Sequence, residues 1–355
     1  MLAPNYQLYA LLILLFLSCK SEPGYNYAVK DFRKALQPQL EKIVSSEVVS
    51  KLNQLVTDKE LLELSMSEHP VLRASAVKAM LYKTSFNAFD VLMNHLDDTA
   101  MVVTSQQAFL DSRMTVSDYI LREARWKSQE EKNKTIDEVI TRHNYLRSAY
   151  TILPSIEPQE KYYPFIKDMA LRMWTYHSYI TTVSVYELQD ALYAIARFKK
   201  KADVPLIKDL LLSNTYYLST NAWRLMREFP DTSYLSVYEA YYPKNYYFLT
   251  SGDAEHSPAI DYINSIAIYK TSRSAKILDS IYNHKPFIYF PGNADTNYIR
   301  HSLISAIVNN ECEAYAKLRQ QIEKGIPGFD KNKFQLPEDN PVDFRKVPAG
   351  QEIRW

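Results

Sequence analysis

Between Gly24 and Gly252 the chain contains no glycine, and only six occur in its 355 residues, where an average sequence carries about 7%. Glycine lets backbone turn with positive φ and approach a phosphate closely. Its absence removes the Gly-rich phosphate loop and the dinucleotide fingerprint from the first two-thirds of the chain. Helices joined by short polar turns need little glycine, and they are the expected elements. The hydrophobic fraction of 46% and charged fraction of 23% are those of a globular chain, neither disordered nor embedded in a membrane through its bulk. Lysine plus arginine (42) almost cancels aspartate plus glutamate (41), so the basic footprint of a nucleic-acid binder is missing and no nucleic-acid partner is expected. A chain of this length ordinarily makes two domains, but a repeat array of the same length can be one continuous unit.

The amino terminus reads differently from the rest. Leu8 to Leu17 is an unbroken apolar run of ten residues, too short to cross a bilayer core of about 30 Å as a helix and of the length of a signal-peptide core. Phe16-Leu17-Ser18-Cys19 follows, and then the polar, helix-breaking Lys20-Ser21-Glu22-Pro23-Gly24. This arrangement resembles a bacterial lipobox, of the kind found in Bacteroidota lipoproteins. The resemblance implies a signal peptide over 1–18, cleavage before Cys19, a diacylglycerol on the Cys19 sulfur and a polar tether over 19–30. Lys20 stands where enterobacterial sorting reads aspartate as retention in the inner membrane, which implies an outer-membrane lipoprotein of the cell envelope. Both the periplasmic face and the cell surface are open to it. No lysine or arginine occurs in the first ten residues, a departure from the usual signal-peptide pattern. With Cys19 acylated, Cys312 is the one remaining thiol and no intrachain disulfide can form.

The segment Glu68-His69-Pro70-Val71-Leu72-Arg73-Ala74-Ser75-Ala76-Val77-Lys78-Ala79-Met80 places proline in a first helical turn and small residues at helical spacing. It resembles the second helix of a HEAT repeat. The same frame recurs as Met101-Val102, Ser105 and Ala108-Phe109, as Leu188, Ala191 and Ala194-Ile195, as Leu218, Ala222 and Leu225-Met226, and as Ile299-Arg300, Leu303 and Ala306-Ile307. Tyr82-Lys83-Thr84-Ser85 echoes Tyr269-Lys270-Thr271-Ser272 as a turn between helices. First-helix candidates lie at Leu61-Leu62-Leu64, Phe89-Val91-Leu92-Leu96, Phe165-Ile166-Met169-Ala170-Met173 and Leu206-Ile207-Leu210-Leu211. The expected fold class is therefore all-α, an α-solenoid of HEAT-like antiparallel hairpins over 31–325. Residues 125 to 150 read as an exposed turn and helix. The Pro-containing segment 326–355 reads as a tail that either docks through Phe329, Phe334, Phe344 and Trp355 as a cap or stays free. Among the 28 tyrosines, adjacent pairs such as Tyr162-Tyr163 and Tyr241-Tyr242 are expected to bury one ring and leave the other nearer the surface.

Candidate chemistry is thin. Ser75-Ala76-Val77-Lys78, Ser117-Asp118 and Lys270-Thr271-Ser272 follow the order of motifs in penicillin-binding proteins. Those enzymes need the lysine beside the serine hydroxyl and the Lys-Thr element on a strand, whereas Ser75 and Lys78 fall inside the best HEAT-like helix. The seven histidines include no pair three or four apart, so no metal site is legible. No catalytic residue, metal or cofactor is expected. The leading expectation is a membrane-anchored scaffold that binds a protein or peptide through its repeat surface, with Arg73, Tyr217, Arg224 and Arg300 as candidate contacts. The alternative is an all-helical envelope enzyme acting on glycan. Cys19→Ala is expected to abolish labelling by radioactive palmitate and to move the protein from the membrane to the soluble fraction; persistence of both in the variant would refute the lipobox reading.

Overall fold

A computed structural model of the chain describes residues 24–52, 56–107, 110–124, 126, 128–175, 185–213, 218–250, 258–283, 296–326 and 329–334. Cys19 and the apolar run before it lie outside them. The fold is mostly helical, with one two-stranded sheet, and it divides into two compact units at Val139/Ile140.

In the first unit, helices α1 (Gln37–Ser46), α2 (Asp58–Ser65), α3 (Pro70–Leu81), α4 (Ala88–Met93) and α5 (Val116–Glu123) are joined by strands β1 (Met101–Gln107) and β2 (Leu110–Thr115). Helix α3 is the centre: α1, α2, α4, α5 and β1 all pack on it. Nine of its twelve residues are buried, because Ala74, Ser75 and Ala76 are small enough to let neighbours approach from several sides. Pro70 opens it at the position where a missing N–H costs nothing. Arg73 is 3% exposed. Its Nε and Nη2 donate to Asp98 at 2.7 and 2.9 Å, its Nη1 to the carbonyls of Ser67 and Glu68 at 2.8 and 3.2 Å, and its guanidinium lies 3.7 Å from the centre of the Tyr25 ring.

The reading of Met101 to Gln107 as a HEAT second helix is corrected here, since it is a strand. It pairs antiparallel with Leu110–Thr115, with an irregularity between Val103 and Ser105, and Val103 also bridges Val48. Consecutive β-branched residues, Val102-Val103-Thr104, favour the pleated conformation over a helix. Val102 and Val103 find burial there. Ala108 and Phe109 lie outside the described residues.

Helix α6 (Gln129–Arg142) runs across the division between the units, and it covers the segment expected to hold an exposed helix. The second unit continues with α7 (Arg147–Ile152), α8 (Tyr163–Thr175), α9 (Val185–Ala196), α10 (Val204–Ser213), α11 (Thr220–Glu228), α12 (Leu235–Thr250), α13 (Pro258–Ala267), α14 (Ser272–Tyr282), α15 (Thr296–Asn309) and α16 (Ala316–Gly325). Alternate helices touch: α7 packs on α9, α9 on α11, α11 on α13 and α13 on α15, while α10 packs on α12 and α12 on α14. Leu188, Ala191, Ala194 and Ile195 of α9, Ala222, Leu225 and Met226 of α11, and Leu303, Ala306 and Ile307 of α15 are all buried, as their spacing predicts.

Tyrosine fastens this unit. Trp223 packs on Tyr238, Tyr241 and Tyr262 with ring centres 5.7, 4.7 and 5.2 Å away. Hydroxyls reach backbone carbonyls of other helices, Tyr262 to Tyr238 at 3.0 Å and Tyr269 to Met226 at 2.9 Å. In the pairs Tyr162-Tyr163 and Tyr241-Tyr242 the first ring is buried and the second half-buried, as expected of a half-polar side chain. Helix ends that glycine would normally close are closed by other residues. Glu47, Lys199 and Lys270 adopt φ of 55, 55 and 52°, a left-handed conformation that costs roughly 1–2 kcal/mol in a residue with a Cβ. Lys270 lies within the Tyr269-Lys270-Thr271-Ser272 turn, where Thr271 caps α14. Its echo at Tyr82 also ends a helix, although there the next one begins later, after the cap Asn87. Past α16, Phe329 and Phe334 stack at 5.4 Å, and the Phe334 carbonyl accepts from Ser305 Oγ on α15 at 2.8 Å. This portion of the tail is docked; Phe344 and Trp355 lie outside the described residues.

Removing Arg73 leaves Asp98 buried without its counter-charge. Arg73→Ala is expected to destabilise the first unit by about 3–5 kcal/mol, read as a lowered urea midpoint, whereas Lys59→Ala on the exposed end of α2 stays within about 0.5 kcal/mol.

Candidate functional site

Helices α9 and α11 lie side by side, and polar or amphipathic side chains follow the i, i+3, i+7 spacing that keeps them on one face: Asp190 and Tyr193 on α9 with Arg197 just past its end, and Asn221, Arg224 and Glu228 on α11. The two rows are stitched together. Asn221 Nδ2 donates to Asp190 Oδ1 at 2.6 Å and Tyr193 donates its hydroxyl to Glu228 Oε2 at 2.8 Å. Arg224 Nε donates to Glu228 Oε1 at 2.7 Å, and its guanidinium lies 4.7 Å from the centre of the Tyr193 ring.

At the C-terminal end of these rows opens a groove of about 810 Å³. Tyr193, Arg197 and Lys199 form one wall, Arg224, Glu228 and Phe229 another, and the segment from Pro154 to Pro158 the rim. Arg197 Nη1 donates to the carbonyls of Pro154, at 3.2 Å, and Ile156, and its Nη2 lies 3.6 Å from the exposed Glu157 carboxylate. Lys199 is exposed, and its left-handed backbone turns the chain out of α9 at this point.

The electrostatics follow from burial and these partners. Burial pushes the Tyr193 hydroxyl up to about 12, and donation to Glu228 adds to the effect, so it is a neutral donor at physiological pH. Burial also works against ionisation of Glu228, but the hydrogen bonds from Arg224 and Tyr193 outweigh it and hold the carboxyl below its usual range. Asp190 is the opposite case: burial raises it to about 6, the bond from Asn221 opposes this, and the charge of Glu187 adds to it.

Of the residues chosen from sequence, Arg224 lies in the groove. Arg73 does not belong to any contact surface; its guanidinium is buried in the ion pair with Asp98, so its candidacy as a partner contact is withdrawn. Tyr217 and Cys19 lie outside the described residues. Arg300 sits on α15, but its side chain lies outside the description. Tyr193, Arg197, Lys199 and Glu228 were missed. The available signal was the basic run Arg197-Phe198-Lys199-Lys200-Lys201 at a helix end, which charge counting over the whole chain averages away.

The serine-lysine motif does not assemble. Ser75 Oγ accepts from Ser50 N–H at 3.1 Å, while Lys78 Nζ points to the Tyr119 hydroxyl at 2.8 Å and to Glu123. Ser75 is buried, and Lys270-Thr271-Ser272 forms a helix cap, not a strand. His95 is buried beside the Arg73–Asp98 pair, and burial lowers its imidazole below the usual value. Among the described residues no group of three His, Cys, Asp or Glu side chains could hold a metal ion. None of the protein-family models, curated proteins or solved structures compared with the chain matches it.

Since the Asp190 carboxyl is raised in the folded state, the folded protein favours its neutral form: its contribution to stability is full below about pH 4 and is lost as pH rises through about 6. A two-unit rise corresponds to ~3 kcal/mol, and the partial exposure of the group reduces this to about 1 kcal/mol. Asp190→Asn is therefore expected to raise the melting temperature by about 2–4 °C at pH 7.5 and to leave it unchanged at pH 4, measured by thermal denaturation across that range.

Proposed function

We propose that the protein is a lipoprotein tethered to the outer membrane through Cys19, with a HEAT-like α-solenoid that holds a protein or peptide partner. The observation that carries the reading is the polar face of consecutive packed helices. Asp190 on α9, Asn221 and Arg224 on α11, and Asp261 and Asn264 on α13 are all partly exposed, and bonds link neighbours across it, Asp190 to Asn221 and Arg227 to Asp261 at 3.8 Å. Polar groups held in fixed positions on rigid helices are what a binding surface requires, since little side-chain entropy remains to be lost on association.

The repeat reading draws on the same helices. Thr220, Pro258 and Thr296 begin α11, α13 and α15, each 35 to 38 residues after the start of the preceding member of the row that α9 opens. A helical hairpin of that length cannot bury its apolar face alone, and stacking on its neighbour does so. The lipid anchor rests on the lipobox resemblance. The glycan-enzyme alternative finds a carboxyl with a raised pKa in Asp190, yet Glu187, whose charge acts on it, is buried and ion-paired with Arg147. That pair offers no free second carboxylate for acid–base work on a sugar.

Affinity purification of the C-terminally tagged full-length protein from detergent-solubilised envelopes is expected to yield a stoichiometric partner, and the yield should collapse for Cys19→Ala, which is not delivered to the membrane. Recovery of the wild-type protein alone would remove the scaffold reading.

A further inference from the structure

The groove at the end of α9 and α11 is unevenly supplied with acceptors. Arg224 engages Glu228 through Nε, and the Tyr193 ring lies under its guanidinium. These contacts fix the plane of the side chain, and among the described residues Nη1 and Nη2 have no acceptor. Both oxygens of Glu228 are occupied, one by Arg224 and one by Tyr193. Lys199 brings a second cation, and among the described residues no carboxylate lies within ion-pair distance of it.

The negative ends of the helices that terminate here are already answered. Phe198 and Lys199 N–H close onto the carbonyls of Ile195 and Ala196 at 3.0 and 2.8 Å, Phe229 N–H closes onto Leu225 at 3.0 Å, and Arg197 takes the carbonyls of the rim. What is left over is a planar pair of N–H donors and an ammonium group at the mouth of a groove that also offers the apolar surfaces of Pro154, Pro158 and Phe229. A planar donor fork held in place matches a carboxylate.

The sign and size of the charge narrow the ligand. Three cations line the groove against two carboxylates, Glu157 and Glu228, an excess of one. That suits an isolated carboxylate and penalises a polyanion such as nucleic acid, whose successive phosphates would meet the two glutamates. The groove, of about 810 Å³, offers apolar surface from Pro154, Pro158 and Phe229 beside the charged groups. We infer that it receives an acidic side chain of an extended peptide segment, with Arg224 as the carboxylate fork and Lys199 as the second contact. This rests on the proposed partner-binding function and names the chemistry of the partner.

The test uses the full-length protein in detergent on an array of ten-residue peptides of acidic, neutral and basic composition. Wild type should retain peptides with acidic residues in preference to the others. Retention should fall about tenfold in Arg224→Gln and in Lys199→Glu, fall at high salt, and be only partly restored by Arg224→Lys, which keeps the charge but not the fork. Thermal melts of each variant check that α9 and α11 remain packed; Lys199, being exposed, keeps the test decisive if Arg224→Gln loosens the fold. Equal retention of neutral and acidic peptides, or unchanged retention by both variants, would overturn the inference. Displacement by inorganic phosphate at millimolar concentration would assign the groove to phosphate and overturn it as well. Purification from envelopes separates this from the broader reading: a partner that stays on both variants leaves the scaffold standing and sinks the groove, and no partner on wild type sinks the scaffold.

Discussion

Tyr315 gathers the backbone where α13 gives way to α14. Its hydroxyl meets the carbonyl of Ala267 at 2.9 Å, the N–H of Lys270 at 3.2 Å and the hydroxyl of Ser274 at 2.8 Å. Such contacts matter because a helix end carries carbonyls with no partner inside the helix, and a helical pair has an apolar face it cannot cover itself. A residue 41 to 48 positions away along the chain solves both problems at once. The ring adds buried area, and the hydroxyl satisfies a polar group that burial would otherwise leave unpaired. Tyr269 does the same at the end of α11, through the carbonyl of Met226, and Tyr262 ties α13 to α12 through the carbonyl of Tyr238. The abundance of tyrosine is thus a property of how the second unit is fastened.

The two arginine–carboxylate pairs show how burial decides what one chemistry does. Arg73 and Asp98 form a buried bidentate pair, and each nitrogen of the guanidinium has an acceptor from Asp98, Ser67 or Glu68. Asp98 in turn positions the turn into β1 and the start of α5, through Ala100 N–H at 3.3 Å and Ser117 N–H at 3.0 Å. That pair is structural. Arg224 and Glu228 meet through one nitrogen at the mouth of a groove, with side chains about a quarter exposed. Among the described residues the terminal nitrogens of that arginine have no acceptor.

Scarcity of glycine has a local consequence at the same groove. With no glycine to end α9, Lys199 takes the left-handed position, and a residue there must carry a side chain. A lysine in place of a hydrogen atom puts a cation at the groove mouth, so a constraint on turning the chain becomes part of its surface chemistry.

Helices α2, α3, α4, α8, α9, α10, α11 and α15 were legible because apolar and small residues at helical spacing report burial directly, and the turn at Tyr269 was legible from its own letters. The strand at Met101–Gln107 was not: five matching positions from Met101 to Phe109 imitated a helix, and only the partner strand and Val48 revealed which conformation buries Val102 and Val103. The site was half legible. Arg224 could be picked as a helical arginine, but nothing in the letters distinguishes it from Arg73, whose guanidinium is walled in by residues up to 48 positions away. Local pattern determines which segments become helices, because that depends on neighbours within two turns. Which charges end up buried, paired or open to a ligand depends on side chains brought together from distant helices, and only the tertiary structure decides it.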